Sequence, residues 1–170
     1  MERIVTPRLT LRPVAPQDQA PVVAGLNDLA VSGWLSVVPH PYGPQDFEHF
    51  VTEIARPGRT WTIEEAGVFA GIVGLENAAL GYWLMPSAHG RGIATEAAGA
   101  VLAAHFAAGG GDLVSGYFEG NQRSARVLGK LGFAETGRDV KFCRALGQDR
   151  AHVTLGLTER AFRLSAFNLA

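Results

Sequence analysis

A mixed α/β fold is the prediction, and three observations carry it. Early in the chain Leu9 and Leu11 alternate with Arg8, Thr10 and Arg12, a period of two that reads as a strand. In the middle, residues 60–64 and 68–76 are two strand-like runs joined by the short turn Glu65-Ala66-Gly67, an antiparallel hairpin. Beyond it, residues 80–85 read as a strand, the next stretch to Ala108 as a helix, and residues 112–118 as a strand again. A strand that follows a strand–helix unit should lie parallel to the first strand of that unit.

The elements follow in order. The first strand covers residues 6–14 and is stopped by Pro13 and Pro16. Residues 18–29 read as a helix with Val22, Val23, Leu26 and Leu29 as its stripe, Pro21 being tolerable near the first turn. Residues 31–43, rich in large apolar groups, read as a short helix leading into a loop. Gly43-Pro44-Gln45-Asp46 starts a further helix with Phe47, Phe50, Val51 and Ile54 on one face, and Arg56-Pro57-Gly58 ends it. Gly71 and Gly74 interrupt the second hairpin strand, as they would where another backbone or a substrate comes close. Asn121 is a good N-cap for a helix that Gly132 closes in the left-handed position, with Phe133 free to pack on Leu128. Residues 133–144 and 151–157 make a terminal strand pair around Gly147-Gln148-Asp149, and residues 158–167 a short helix.

Composition narrows the class. A chain of 170 residues, expected to form a single domain over residues 1–170, can bury a substantial core. With 47% hydrophobic and 18% charged residues it is neither disordered nor membrane-embedded, and no apolar run approaches the roughly 20 residues of a membrane span. The charged start, without an apolar leader, points to the cytoplasm. A net charge of −1 argues against a nucleic-acid partner. The one cysteine, Cys143, allows no internal disulfide, and the five histidines lack metal-ligand spacing, so no metal is expected.

The most informative stretch is Pro86-Ser87-Ala88-His89-Gly90-Arg91-Gly92-Ile93-Ala94-Thr95-Glu96-Ala97. Ile93, Ala97, Val101 and Leu102 recur at helical spacing until Gly109-Gly110-Gly111, so two glycines stand where a strand turns into a helix. Free amides and the positive end of the helix dipole make such a turn suited to phosphate. Gly-x-Gly alone is more often a plain tight turn. The dinucleotide fingerprint would need a glycine where Thr95 stands, and no Gly-Lys-Ser/Thr follows.

A second segment, Asn121-Gln122-Arg123-Ser124-Ala125-Arg126-Val127-Leu128-Gly129-Lys130-Leu131-Gly132-Phe133, lies one strand downstream. Together the two resemble the acetyl-CoA motifs of the GNAT superfamily of N-acetyltransferases. Gly-Arg-Gly-Ile-Ala-Thr-Glu-Ala after Gly-Tyr-Trp-Leu looks most like its Rim-type branch, named for enzymes that acetylate ribosomal-protein N-termini. Thr6-Pro7-Arg8-Leu9-Thr10-Leu11-Arg12 extends the resemblance over nearly the whole chain.

The resemblance implies a GNAT fold: a mixed, mostly antiparallel central sheet, splayed at two parallel strands and flanked by helices, the strand at residues 80–85 carrying a bulge. It implies that main-chain groups at Leu84 and Met85 hold pantetheine, and that the turn of His89, Gly90, Arg91, Gly92, Ile93, Ala94 and Thr95 holds the diphosphate. Asn121 and Ser124 would face pantetheine and sulfur, and Arg126 and Lys130 would reach the 3′-phosphate or else form a solvated face. His89 stands where the motif usually has Gln or Arg, a weaker phosphate partner than guanidinium.

Direct acyl transfer needs a neutral amine, a stabilised oxyanion and a proton for the thiolate. Glu76 is the candidate base, with Tyr117 and Glu119 in reserve, and Ser124 the candidate proton donor. Rim-type enzymes can carry a glutamate where Cys143 falls in this chain, and Cys143 itself reads as a small buried hydrophobe. The expected activity is transfer from acetyl-CoA to a primary amine, a peptide N-terminus or small amino compound, in a ternary complex. The competing reading is a non-catalytic acyl-CoA-binding module. Many relatives are dimers, so a homodimer is a possible assembly.

Overall fold

The computed structural model describes residues 3–169. It opens not on one strand but on a hairpin, β1 (Ile4–Val5) and β2 (Leu9–Pro13), because Thr6 turns the chain back: its amide donates to the Leu9 carbonyl at 2.9 Å. The helix expected over residues 18–29 ends early. α1 (Gln19–Leu26) stops at Asn27, whose side chain clasps the amide and carbonyl of Tyr42, and Asp28 then caps a separate turn, α2 (Leu29–Ser32). α3 (Pro44–His49) runs into one π turn, Phe50–Ile54.

Three strands follow, β3 (Thr60–Glu65), β4 (Val68–Glu76) and β5 (Ala79–Leu84), all antiparallel neighbours. α4 (Ile93–Ala107), β6 (Leu113–Phe118) and α5 (Gln122–Lys130) complete the predicted strand–helix–strand–helix run. β7 (Ala134–Cys143) and β8 (Gln148–Leu157) are the terminal pair, β8 beginning three residues before its expected start. The expected final helix is two pieces, α6 (Glu159–Arg163) and α7 (Ala166–Leu169). The sheet order is β1-β2-β3-β4-β5-β6-β8-β7, with β5 and β6 the parallel pair and every other neighbouring pair antiparallel.

The expected bulge is not in β5, which keeps unbroken register with β4 from Leu84 down to Ala79. It lies in β4: Ile63 pairs with Gly71 and Glu64 with Phe69, leaving Ala70 as the extra residue. Next to it, a Cβ on Gly71 would sit 2.1 Å from the Trp83 carbonyl, so the glycine there admits the neighbouring backbone.

Two cores lie on the two faces of the sheet. α4 and α5 cover one face through Ile93, Ala97, Leu102 and Leu128, against Leu80, Leu113 and Leu155 of the strands. α5 ends in a double turn: Gly132, at φ +94°, donates to the Gly129 carbonyl, and Phe133 donates to the Leu128 carbonyl. The other face carries Ile72, packed with Val22 and Leu26 of α1, Phe47 of α3 and Tyr42 just before it. Among the described residues no helix is long and apolar enough to cross a membrane.

Asp18 ties that second layer to the sheet. It is buried, and its carboxylate accepts from Arg12 at 2.7 and 2.9 Å, the Ala15 amide at 2.9 Å and the Thr62 hydroxyl at 2.7 Å. Burial is the strongest single influence on this carboxyl and pushes its pKa up. The hydrogen bonds from Arg12, Ala15 and Thr62 outweigh it together and hold the carboxyl below its usual range. A depressed carboxyl stabilises the fold above its unfolded pKa, and that contribution is lost as pH falls through the native one. Asp18→Asn should therefore cost about 3 kcal/mol in urea unfolding at neutral pH, and the gap to the parent should close in acid below the ordinary carboxylate range.

Candidate active site

The site is built around the place where β5 and β6 part. They share one registered pair, Ala79 with Val114, reinforced by the Val114 amide on the Ala78 carbonyl and the Ser115 hydroxyl on the Leu80 carbonyl, each at 2.9 Å. Beyond it β5 continues to Leu84 with no partner on that side. Antiparallel pairing turns alternate residues toward and away from the neighbour. The Met85 amide donates to Ala70 at 2.8 Å, so Trp83, Gly81 and Ala79 turn toward β4 while Tyr82 and Leu84 turn into the gap.

At the open end the chain makes one 3₁₀ turn over Pro86–Ala88 and then the glycine turn. Gly90 at φ +72° and Gly92 at φ +77° occupy the left-handed region, where a side chain is strained. None of the amides of residues 90–95 donates to a described residue. The turn is held from outside instead. Arg8 donates to the Arg91 carbonyl at 3.0 Å, while its Nε and backbone amide hold Glu96 of α4 at 2.7 and 3.1 Å. Thr6 adds a hydroxyl to the same carboxylate at 2.6 Å. Burial raises the Glu96 pKa, but these bonds outweigh it and leave the carboxyl below its usual range. Arg91 pairs outward with Glu65 at 2.5 Å.

Across the gap, Tyr82 of β5 meets Ser124 in the first turn of α5, hydroxyl to hydroxyl at 2.9 Å. Burial pushes the Tyr82 phenol up to about 12, against the opposing effect of the Ser124 bond, so it stays protonated at neutral pH. Asn121 caps α5 by accepting from the Ser124 amide at 3.2 Å, which fixes the serine.

The structure places the other expected residues as follows. His89 accepts from Arg123 at Nδ1, 3.0 Å away, so Nε2 carries the proton and donates to the Leu84 carbonyl at 3.1 Å. His89 thus clasps the turn to β5. Two main-chain groups expected to hold pantetheine, the Leu84 carbonyl and the Met85 amide, are engaged within the protein, and the Tyr82 groups and the Leu84 amide face the gap in their stead. Arg126 and Lys130 are exposed on α5. Tyr117 packs against the α4–α5 core, and Glu119 pairs with Arg138 at 3.4 Å. Cys143 is buried, its thiol on the Gly33 and Leu35 carbonyls. Among the described residues no group of three metal-ligating side chains forms.

The face opposite α4 is the remaining wall. Glu76 lies on it at the closed end, opposite Ala79, with its carboxylate 3.5 Å from Thr60 on β3. Gly74, Gly81 and Gly116 lie at one level across β4, β5 and β6, just above the point of parting. α1 comes so close to Trp83 and Met85 that a Cβ on Gly25 would touch both within 2.7 Å. Residues 33–36 are pinned to the terminal hairpin by Cys143, Arg144 and Arg150, and Trp34 lies over the Arg150 guanidinium. Residue pattern missed Tyr82 as a site residue, since an aromatic in an apolar run reads as core. It also missed His152, which buries its ring on this face beside Asp139.

A family model described as acetyltransferase (GNAT) domain matches residues 8–134. No curated protein matches the chain in sequence. Among solved structures, RimJ of Mycobacterium smegmatis in complex with CoA-disulfide is 26% identical, covers 94% of this chain and 86% of its own, and superposes with a TM-score of 0.76. A GNAT-family acetyltransferase from Bacillus anthracis shares the fold at 19% identity, 93% and 99% coverage and a TM-score of 0.80. The ribosomal-protein-S5-alanine acetyltransferase from Vibrio fischeri does so at 17% identity, 94% and 98% coverage and 0.76.

Gly92→Val tests the turn. The substitution puts a branched side chain at φ +77°, 3.4 Å from Arg8 at its Cβ, beside the free amides. Acetyl-CoA affinity should fall tenfold or more, about 1.4 kcal/mol, with the folded state retained. Calorimetric titration of a variant checked by circular dichroism reads both.

Proposed function

This chain belongs to the GNAT acetyltransferase family, and on that premise we propose that it transfers the acetyl group of acetyl-CoA to a primary amine by direct attack in a ternary complex. The observation that supports this reading is the row of unpaired amides at residues 90–95, standing at the mouth of a splayed strand pair bridged by Tyr82 and Ser124. Six donors without acceptors at a helix N-terminus suit a diphosphate. The gap-facing groups of Tyr82 and Leu84 suit the amides of a pantetheine arm. Acetyl-CoA supplies the activated acyl group.

In this reading a gap-facing amide of β5 stabilises the developing oxyanion, an effect of about 3–4 kcal/mol where such donors have been removed. With the Tyr82 phenol donating, the Ser124 proton is left to point at the departing sulfur. The amine comes from the α1–α3 face. Aromatic and apolar groups, Trp83, Phe69 and Trp34, dominate that wall, and Glu76 and Asp139 are its carboxylates near the gap. Such a wall suits a peptide N-terminus or a small amino compound better than a polycation.

The test is to incubate the protein with acetyl-CoA and a panel of peptides, amino acids and polyamines, following free thiol and product mass. Acetylation of a single primary amine is expected. Ser124→Ala should lower kcat roughly 10²-fold with calorimetric acetyl-CoA binding unchanged. Tight binding without turnover on any amine would instead identify a binding module.

A further inference from the structure

We propose that His152, held by Asp139, is the base that takes the proton from the attacking amine, and that Glu76 is not. The inference rests on the acetyl-transfer reading above. Above the Ala79–Val114 pair, the space between β5 and β6 is bordered by Gly81 on one side and Gly116 on the other, and a Cβ on Gly81 would meet nothing within 4 Å. The space above Gly116 is taken by the His152 ring: a Cβ there would fall 2.4 Å from Cε1 and 2.5 Å from Nε2. The edge of the imidazole that carries Nε2 is therefore laid at the lip of the gap, on the acceptor face.

The ring is oriented for that use. Asp139, register partner of His152 across β7 and β8, lies 2.8 Å from Nδ1. A carboxylate can only accept, so Nδ1 carries a proton, and in the neutral ring Nε2 presents a lone pair. Phe118 closes the ring from the side at 5.8 Å, edge on. The sealed, unpartnered side-chain polar atoms among the described residues are Trp61 Nε1 and Ser165 Oγ. His152 Nε2 is not one of them and has no hydrogen-bond partner among the described residues, so it is not sealed from its surroundings.

Glu76 is worse placed. It stands at the level where β5 and β6 are still paired, and its carboxylate leans to Thr60, on the side away from the gap. Tyr117 lies against the α4–α5 core, on the other face. The charged groups around the His152 ring are Asp139, with Arg150 and Lys141 one step along β8 and β7, while β6 presents Gly116 and Phe118. Arg150 is held away between Trp34 and Phe118, at 4.4 and 4.8 Å from the ring centres.

The step balances. As the N–C bond forms and the C–S bond breaks, Nε2 takes one proton from the amine nitrogen, directly or through one water. Ser124 gives a proton to the sulfur and recovers one by way of solvent, and the imidazolium returns its proton to solvent. Asp139 touches no reacting atom and acts by holding the ring, a positioning residue.

The experiment compares the parent with His152→Gln, Asp139→Asn and Glu76→Gln on an amine found in the panel above. His152→Gln should lower kcat roughly 10²–10³-fold, with calorimetric acetyl-CoA binding within twofold, and should remove the ascending limb of the rate–pH profile. Asp139→Asn changes a half-exposed side chain and should fold regardless of the histidine variant. It should lower kcat roughly tenfold, and ¹⁵N spectra of the imidazole should lose the Nδ1–H form seen in the parent. Glu76→Gln should stay within threefold with the limb intact. The proposal is overturned if His152→Gln or Asp139→Asn keeps the parent rate and profile, or if Glu76→Gln alone removes the limb. A parent enzyme that binds acetyl-CoA but acetylates nothing would refute the acetyl-transfer reading instead.

Discussion

β5 and β6 are obliged to run side by side and are allowed to bond at one level. A parallel pair normally satisfies each backbone group along its length, so unpaired amides and carbonyls inside a sheet carry a cost unless water or a ligand takes them. Here the chain accepts that cost at one seam. Ser115 closes the bottom of the seam and Tyr82 with Ser124 spans it higher up. On one side stand α4, with the unpaired amides of residues 90–95 at its N-terminus, and α5, which carries Ser124. On the other stand the three glycines and the histidine.

The surroundings are stiff where the seam is open. Asp18 joins the α1 layer to β2 and β3, and Glu96 joins α4 to the first hairpin. The Gly132 double turn fixes the end of α5, and a Cβ there would strike the Ala161 carbonyl of α6 at 2.7 Å. Each contact removes a freedom that a loop-built site would have to lose on binding.

Much of this was legible in the residues. Period two and period 3.6 separated strands from helices, and the parallel strand, the Asn121 cap and the Gly132 closure all stood as expected, because each rests on local chemistry. The errors arose where specific pairing overrode the pattern. Thr6 turning the chain onto Leu9, Asn27 breaking a continuous apolar stripe to hold Tyr42, and the bulge standing at Ala70 rather than in β5 are settled by particular hydrogen-bond partners that periodicity does not register. His89 had the right place and a different bond, because its neighbour Arg123 lies 34 residues on. His152 was invisible for the same reason: a lone histidine in a strand means nothing until Asp139 and Gly116 are seen on either side of it.

The contact between Arg8 and the Arg91 carbonyl makes the first hairpin and the glycine turn parts of one thermodynamic body. In the proposed reading, whatever free energy a diphosphate gains from finding the turn already held is matched by an equal stabilisation of the hairpin when the diphosphate binds. On that reading, loading with acetyl-CoA is felt at Ile4 and Val5, on one edge of the sheet, as slower opening of their backbone hydrogen bonds. The outermost strand of the molecule serves in this way as a gauge of occupancy at its centre.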